Sequence, residues 1–156
     1  MRMLFVVPLL GFMSFSLAAF VPQSVDTSRY GMVYGHLSVE ASVDRVELAP
    51  IAGVRRPSAR VLPNGDFYFA EVEPGRYVVS RVHSNGEWRQ LASDRGVQML
   101  TVDVEGGAIN YAGSWELAVA GRETYSTMPT ERPGSDVLLK RLRYSLRGTG
   151  WEKQIP

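Results

Sequence analysis

One stretch constrains this chain more than any other: Leu62-Pro63-Asn64-Gly65-Asp66-Phe67-Tyr68-Phe69-Ala70-Glu71-Val72-Glu73-Pro74-Gly75-Arg76-Tyr77-Val78-Val79. It reads as turn, strand, turn, strand. Asn64-Gly65 is a strong short-range reversal signal, because both residue types tolerate positive φ. Phe67-Tyr68-Phe69 suits a pleated strand. Pro74-Gly75 sets a second reversal, with proline fixing φ and glycine taking a conformation other residues avoid. Tyr77-Val78-Val79 opens the next strand. A chain built on such a stretch must supply further strands.

Those strands are readable on both sides. Gly31 to Val39 alternates, with Val33, Leu37 and Val39 on one face and Met32, Tyr34, His36 and Ser38 on the other. Val43 to Leu48 is a second strand, and Pro50 to Ser58 is a loop. Arg60 to Leu62 is short, Asp66 to Ala70 follows the first turn, and Tyr77 to His83 follows the second. After the Asn85-Gly86 turn, Trp88 to Arg95 reads as irregular. Val97 to Val104 and Ala108 to Val119 alternate again. The spacing predicts an antiparallel β-sandwich of about seven strands, and the frequent glycine turns leave no room for crossover helices. Phe67, Phe69, Tyr77, Val79, Leu100, Val102 and Trp115 are the predicted core.

Ala120 to Gly134 carries prolines and threonines and reads as a linker or covering loop. Ser135 then has the chemistry of a helix cap, with Asp136 in the first turn. Leu138, Leu139, Leu142 and Leu146 fall within an arc of about 100°. The spacing predicts a helix over 136–147, ended by Gly148 and Gly150, with Trp151 and Ile155 able to dock.

The first 18 residues read as a signal peptide. Arg2 precedes an apolar run from Leu4 to Phe12, and Ser16-Leu17-Ala18 fits a small-x-small cleavage site. An uncleaved anchor is the alternative, since Met3 to Phe20 carries no charge. Cysteine is absent, and Asn64, Asn85 and Asn110 are followed two positions on by Asp, Glu and Ala, so no glycosylation sequon exists. The reading is an exported protein, periplasmic or secreted, of a bacterial kind. Residues 19–119 form the sandwich, 120–134 the linker, and 135–156 the helix and tail.

The run from Pro63 to Val79 resembles the carboxypeptidase regulatory-like domains, which share a transthyretin-like (prealbumin-like) β-sandwich. The matching positions are Asn64-Gly65, Phe67, Phe69, Pro74-Gly75, Tyr77 and Val79; Gly31-x-Val33-x-Gly35 and Val46-x-Leu48 resemble the opening strands. The resemblance covers Gly31 to Val119. It implies a fold and the habit of an accessory or binding module on exported proteins, and it carries over no catalytic residue.

Chemistry-bearing motifs are sparse. His36 and His83 are the only histidines, too few for a metal site of histidines alone. Both read as strand residues of the less buried face. No Gly-x-Ser-x-Gly elbow and no phosphate-binding glycine loop occurs, so no cofactor is expected. Glu71 and Glu73 read as a solvated turn. Tyr34, Tyr68, Trp88 and Trp115 admit an aromatic platform for a carbohydrate.

The formal net charge of +1 argues against nucleic acid. Its distribution says more. Lys140, Arg141, Arg143, Arg147 and Lys153 face only Glu152 after residue 136, while acidic residues outnumber basic ones between Ala19 and Asp136. Lys140, Arg143 and Arg147 form the candidate interaction surface, for an acidic envelope or secreted protein. Burying the leucines outweighs scattered charge effects, so docking of the helix is favoured over contact with an anionic membrane. The leading expectation is a small non-catalytic binding or assembly protein. An envelope hydrolase, or a peripheral membrane protein held by the basic helix, is the alternative.

Overall fold

The computed structural model describes residues 24–39, 42–93 and 101–156. The expected signal peptide lies outside these residues, as do Val97 and Leu100.

Nine strands form: β1 Gly31–Val39, β2 Val43–Pro50, β3 Ser58–Arg60, β4 Asp66–Val72, β5 Gly75–Ser84, β6 Glu87–Ser93, β7 Thr101–Val104, β8 Ile109–Val119 and β9 Thr124–Thr130. One helix, α1 Ser135–Leu142, and a 3-10 turn at Trp151–Lys153 complete the elements among the described residues. Hydrogen bonding joins the strands in one sheet in the order β3-β2-β5-β6-β9-β8-β1-β4, with β7 on the free half of β5. The path curls until its ends nearly meet, where Val61 bridges Phe67. The result is a nearly closed, barrel-like sheet.

Three expectations are corrected. The strands number nine because Glu87–Ser93 and Thr124–Thr130 pair along one another. β6 escaped notice because Arg89 lies opposite the buried Val82, which breaks the apolar alternation. β9 lies within the expected linker. Its threonines are good strand residues, and Pro129 sits beyond the β6 pairing, where a missing N–H is tolerated. The pairing is also not wholly antiparallel, since β1–β8 and β6–β9 run parallel.

The two strands of the organising stretch do not form a hairpin. β4 pairs with β1, and β5 with β2, β6 and β7. The Pro74-Gly75 turn therefore carries the chain across the barrel, and Phe67, Phe69, Tyr77 and Val79 meet through the core. Val102 and Trp115 join them as predicted. Gly35 makes this packing possible, because a Cβ there would lie 2.6 Å from Cζ of Phe67. Opposite it, the β1–β8 register shifts between Tyr34 and His36, and Gly113 takes φ 107°. That bulge lets the Trp115 ring fold back so that its Nε1 donates to the Ala112 carbonyl at 3.0 Å.

A second apolar layer lies outside the barrel. Met32 and Tyr34, on the outer face of β1, are covered by Leu138, Leu142, Leu146, Trp151 and Ile155. β1 is thus buried on both faces from Gly31 to Leu37, where alternation suggested a half-buried strand. The expected helix docks as the leucine stripe requires. Its regular part ends at Leu142 and continues as turns to Gly148, and Gly134, not Ser135, occupies the N-cap. Tyr68 Oη donates to the Ser145 carbonyl at 3.0 Å, and Trp151 Nε1 to the Ala70 carbonyl at 2.7 Å. Burial raises the Tyr34 and Tyr68 phenols above their ordinary value.

Phe69→Ala should cost about 3–5 kcal/mol, as truncation of a buried aromatic does. Denaturant titration measures it, and a loss below about 1 kcal/mol would remove Phe69 from the core.

Candidate functional site

The docked leucines fix which way the rest of the C-terminal layer faces. Lys140, Arg143 and Arg147 point into solvent. With Tyr144 and Glu152 they line a shallow groove of about 450 Å³. Tyr144 is 73% exposed, and the Arg147 guanidinium sits 4.4 Å from its ring centroid. Glu152 is turned toward the backbone, accepting from Gly150 N–H at 2.8 Å. Backbone hydrogen bonds, its own N–H foremost, hold its carboxyl below the usual range. Among the described residues, Lys140, Arg143 and Arg147 form no ion pair within 4.0 Å. The arrangement presents three cations and an aromatic ring to whatever approaches.

The fourth cation of the helix behaves differently. Arg141, whose side chain stays 38% exposed, places Nη2 2.6 Å from Asp66 Oδ1. Asp66 is fully buried. His36, its direct cross-strand partner, places Nδ1 2.8 Å from the same oxygen. Asn64 Nδ2 donates to Oδ2 at 2.8 Å, and Asp66 N–H donates back to Asn64 Oδ1 at 3.2 Å. A carboxylate taken out of water needs such partners, and here they tie β1, β4, the Asn64-Gly65 turn and α1 together. Asn64 thus uses its side chain on Asp66, and only Gly65 adopts positive φ.

This cluster corrects the reading of His36, which is 9% exposed and paired with an acid, not a residue of the open face. Its Nδ1 partner is Asp66, and Asn64 and Arg141 in turn hold that same carboxyl group. His83 also pairs, through Nδ1 to Asp44 Oδ1 at 2.6 Å, with the Trp88 ring 5.3 Å away. The hydrogen bond from His83 is the main reason the Asp44 carboxyl lies below its usual range. No group of three potential metal ligands occurs among the described residues. The four aromatics are dispersed: Trp115 lies in the main core, Tyr34 and Tyr68 belong to the outer layer, and Trp88 lies beside His83. Glu73 faces Arg55 at 3.8 Å, as a solvated turn residue would. The pairings of both histidines were invisible in the sequence because their acids lie 30 and 39 residues away.

No protein-family model matches the chain, and no curated protein sequence matches it.

Adjacent arginines should separate the two roles. Arg141→Ala leaves Asp66 buried without its guanidinium and should cost about 1–3 kcal/mol. Arg143→Ala should fall within about 0.5 kcal/mol of the parent. Equal losses in denaturant titrations would show that the Asp66 contact does not hold the helix.

Proposed function

We propose that the chain is a small exported, non-catalytic binding or assembly protein that captures an acidic partner with the outer face of its C-terminal layer. The observation that carries this is the splitting of the helix cations. Arg141 is committed to Asp66, while Lys140, Arg143 and Arg147 stand together beside an exposed tyrosine. Rim charges of this kind raise association rates and make binding salt-sensitive. Arginine and tyrosine are also the residues most often found at binding hot spots.

In this reading the barrel is the scaffold and belongs with the transthyretin-like β-sandwich domains that the run from Pro63 to Val79 resembles. The apolar N-terminal segment exports it to the periplasm or beyond. A hydrolase reading would need a hydroxyl beside a histidine–acid pair; the hydrogen bond of His36 runs to Asp66, which Asn64 and Arg141 also hold as a tie between β1, β4 and α1.

The test is double charge reversal, Arg143→Glu with Arg147→Glu, on protein immobilised in its own envelope extract and beside vesicles of anionic phosphatidylglycerol. The fold should be unchanged by circular dichroism. Capture of the acidic protein partner should fall about tenfold at low salt and less at high salt. Unchanged capture by a folded variant would clear the basic row of any role. Loss of vesicle binding, with no protein captured by the parent, would replace the protein partner with a lipid surface.

A further inference from the structure

The barrel stays open along one seam, between β3 and β4. The two strands touch at the Val61–Phe67 bridge and part beyond it. The hydrogen bonds next to that bridge show which backbone groups face the gap. Val61 N–H donates to Asp44 and Leu48 N–H to the Pro57 carbonyl, both at 2.9 Å, so residues 57, 59 and 61 turn toward β2. By alternation, Ser58 and Arg60 turn their N–H and C=O toward the seam; the Val61–Phe67 bridge uses the Arg60 carbonyl for Tyr68 N–H, which leaves both Ser58 groups and the Arg60 N–H along the gap. Across it, the Asp66 carbonyl accepts from Leu62 N–H at 2.7 Å, and the Ala70 carbonyl is capped by Trp151. The β3 side is the freer edge.

A groove of about 770 Å³ fills this gap. Strand rise, strand spacing and sheet spacing give an extended residue roughly 160 Å³. The groove therefore takes a segment of about five residues. Its wall is cationic: Arg55, Arg56 and Arg60 all lie along it, against Glu71. Arg55 and Arg56 reach only long contacts, to Glu73 at 3.8 Å and to Glu47 at 3.7 Å. Glu47 is already held by Arg81 at 2.7 Å. Arg60 makes no ion pair within 4.0 Å among the described residues.

We propose that the seam binds an extended peptide segment bearing acidic side chains, which adds as a strand to the free edge of β3. Backbone hydrogen bonds to Ser58 and to the Arg60 N–H hold the segment, and the three guanidinium groups select its carboxylates. This site shares no lining residue with the groove of Lys140, Arg143 and Arg147 and would stand if that surface proved inert.

The probe is a fluorescein-labelled peptide of about eight residues alternating valine and glutamate, with a lysine counterpart, titrated into the full chain by anisotropy. The glutamate peptide should bind at least about tenfold more tightly than the lysine peptide. Arg55→Glu with Arg60→Glu should remove that preference. Ser58→Pro, which deletes a seam-facing N–H without touching the β2 pairing, should weaken binding of the glutamate peptide. The Arg143→Glu, Arg147→Glu protein should bind the peptide as the parent does. Equal binding of both peptides would overturn the proposal, as would affinity unchanged by the arginine reversals in a folded protein. A dimer in sedimentation that Ser58→Pro abolishes and the peptide cannot dissociate would assign the seam to a second copy of the chain and overturn it as well.

Discussion

Everything in this molecule depends on covering the outer face of β1. Met32 and Tyr34 project away from the barrel core, on the strand that joins β8 to β4. Left in water, that face would expose a contiguous apolar patch beside the β4 edge of the sheet. Leu138, Leu142, Leu146, Trp151 and Ile155 bury it, each side chain contributing roughly 1.5–3 kcal/mol before ordering costs. Apolar contact alone does not fix how a short helix lies on a sheet. The Arg141–Asp66 contact supplies the missing orientation, because a buried carboxylate accepts its donors only from particular directions.

That orientation gives the surface its character. With the Arg141 guanidinium bound to Asp66, Lys140 on the helix and Arg143 and Arg147 in the turns after it are left exposed. The same docking brings Ser145 to the Tyr68 hydroxyl and Trp151 to the Ala70 carbonyl, which blunts the β4 edge at one end of the seam. The β3 edge has no such cover and relies on its brevity and its arginines. The two cationic surfaces thus have a common cause in the placement of the C-terminal layer, although they offer different chemistry: a shallow groove of charged side chains, and a slot with backbone donors and acceptors.

Much of this was legible in the sequence. The alternation of β4, β5, β7 and β8 located the core residues Phe67, Phe69, Tyr77, Val79, Val102 and Trp115, and the leucine period located α1. The rest was hidden for particular reasons. β6 hides behind an inward-facing Arg89, and β9 behind threonines and Pro129 that imitate a linker. The parallel β1–β8 and β6–β9 pairs are long-range contacts that no local pattern encodes. The basic row was readable from helical spacing. The contact of Arg141 with Asp66 was not, because the two residues lie 75 positions apart.

The central claim is that the C-terminal layer is an integral part of the fold and not an appendage to a complete barrel. Hydrogen exchange under native conditions tests it most directly. The amides of Leu138, Leu142 and Leu146 should exchange with the same opening free energy as those of Tyr34 and Tyr68, because the two layers lose their cover together. Rapid exchange of the 135–148 amides, with β1 and β4 still fully protected, would contradict it.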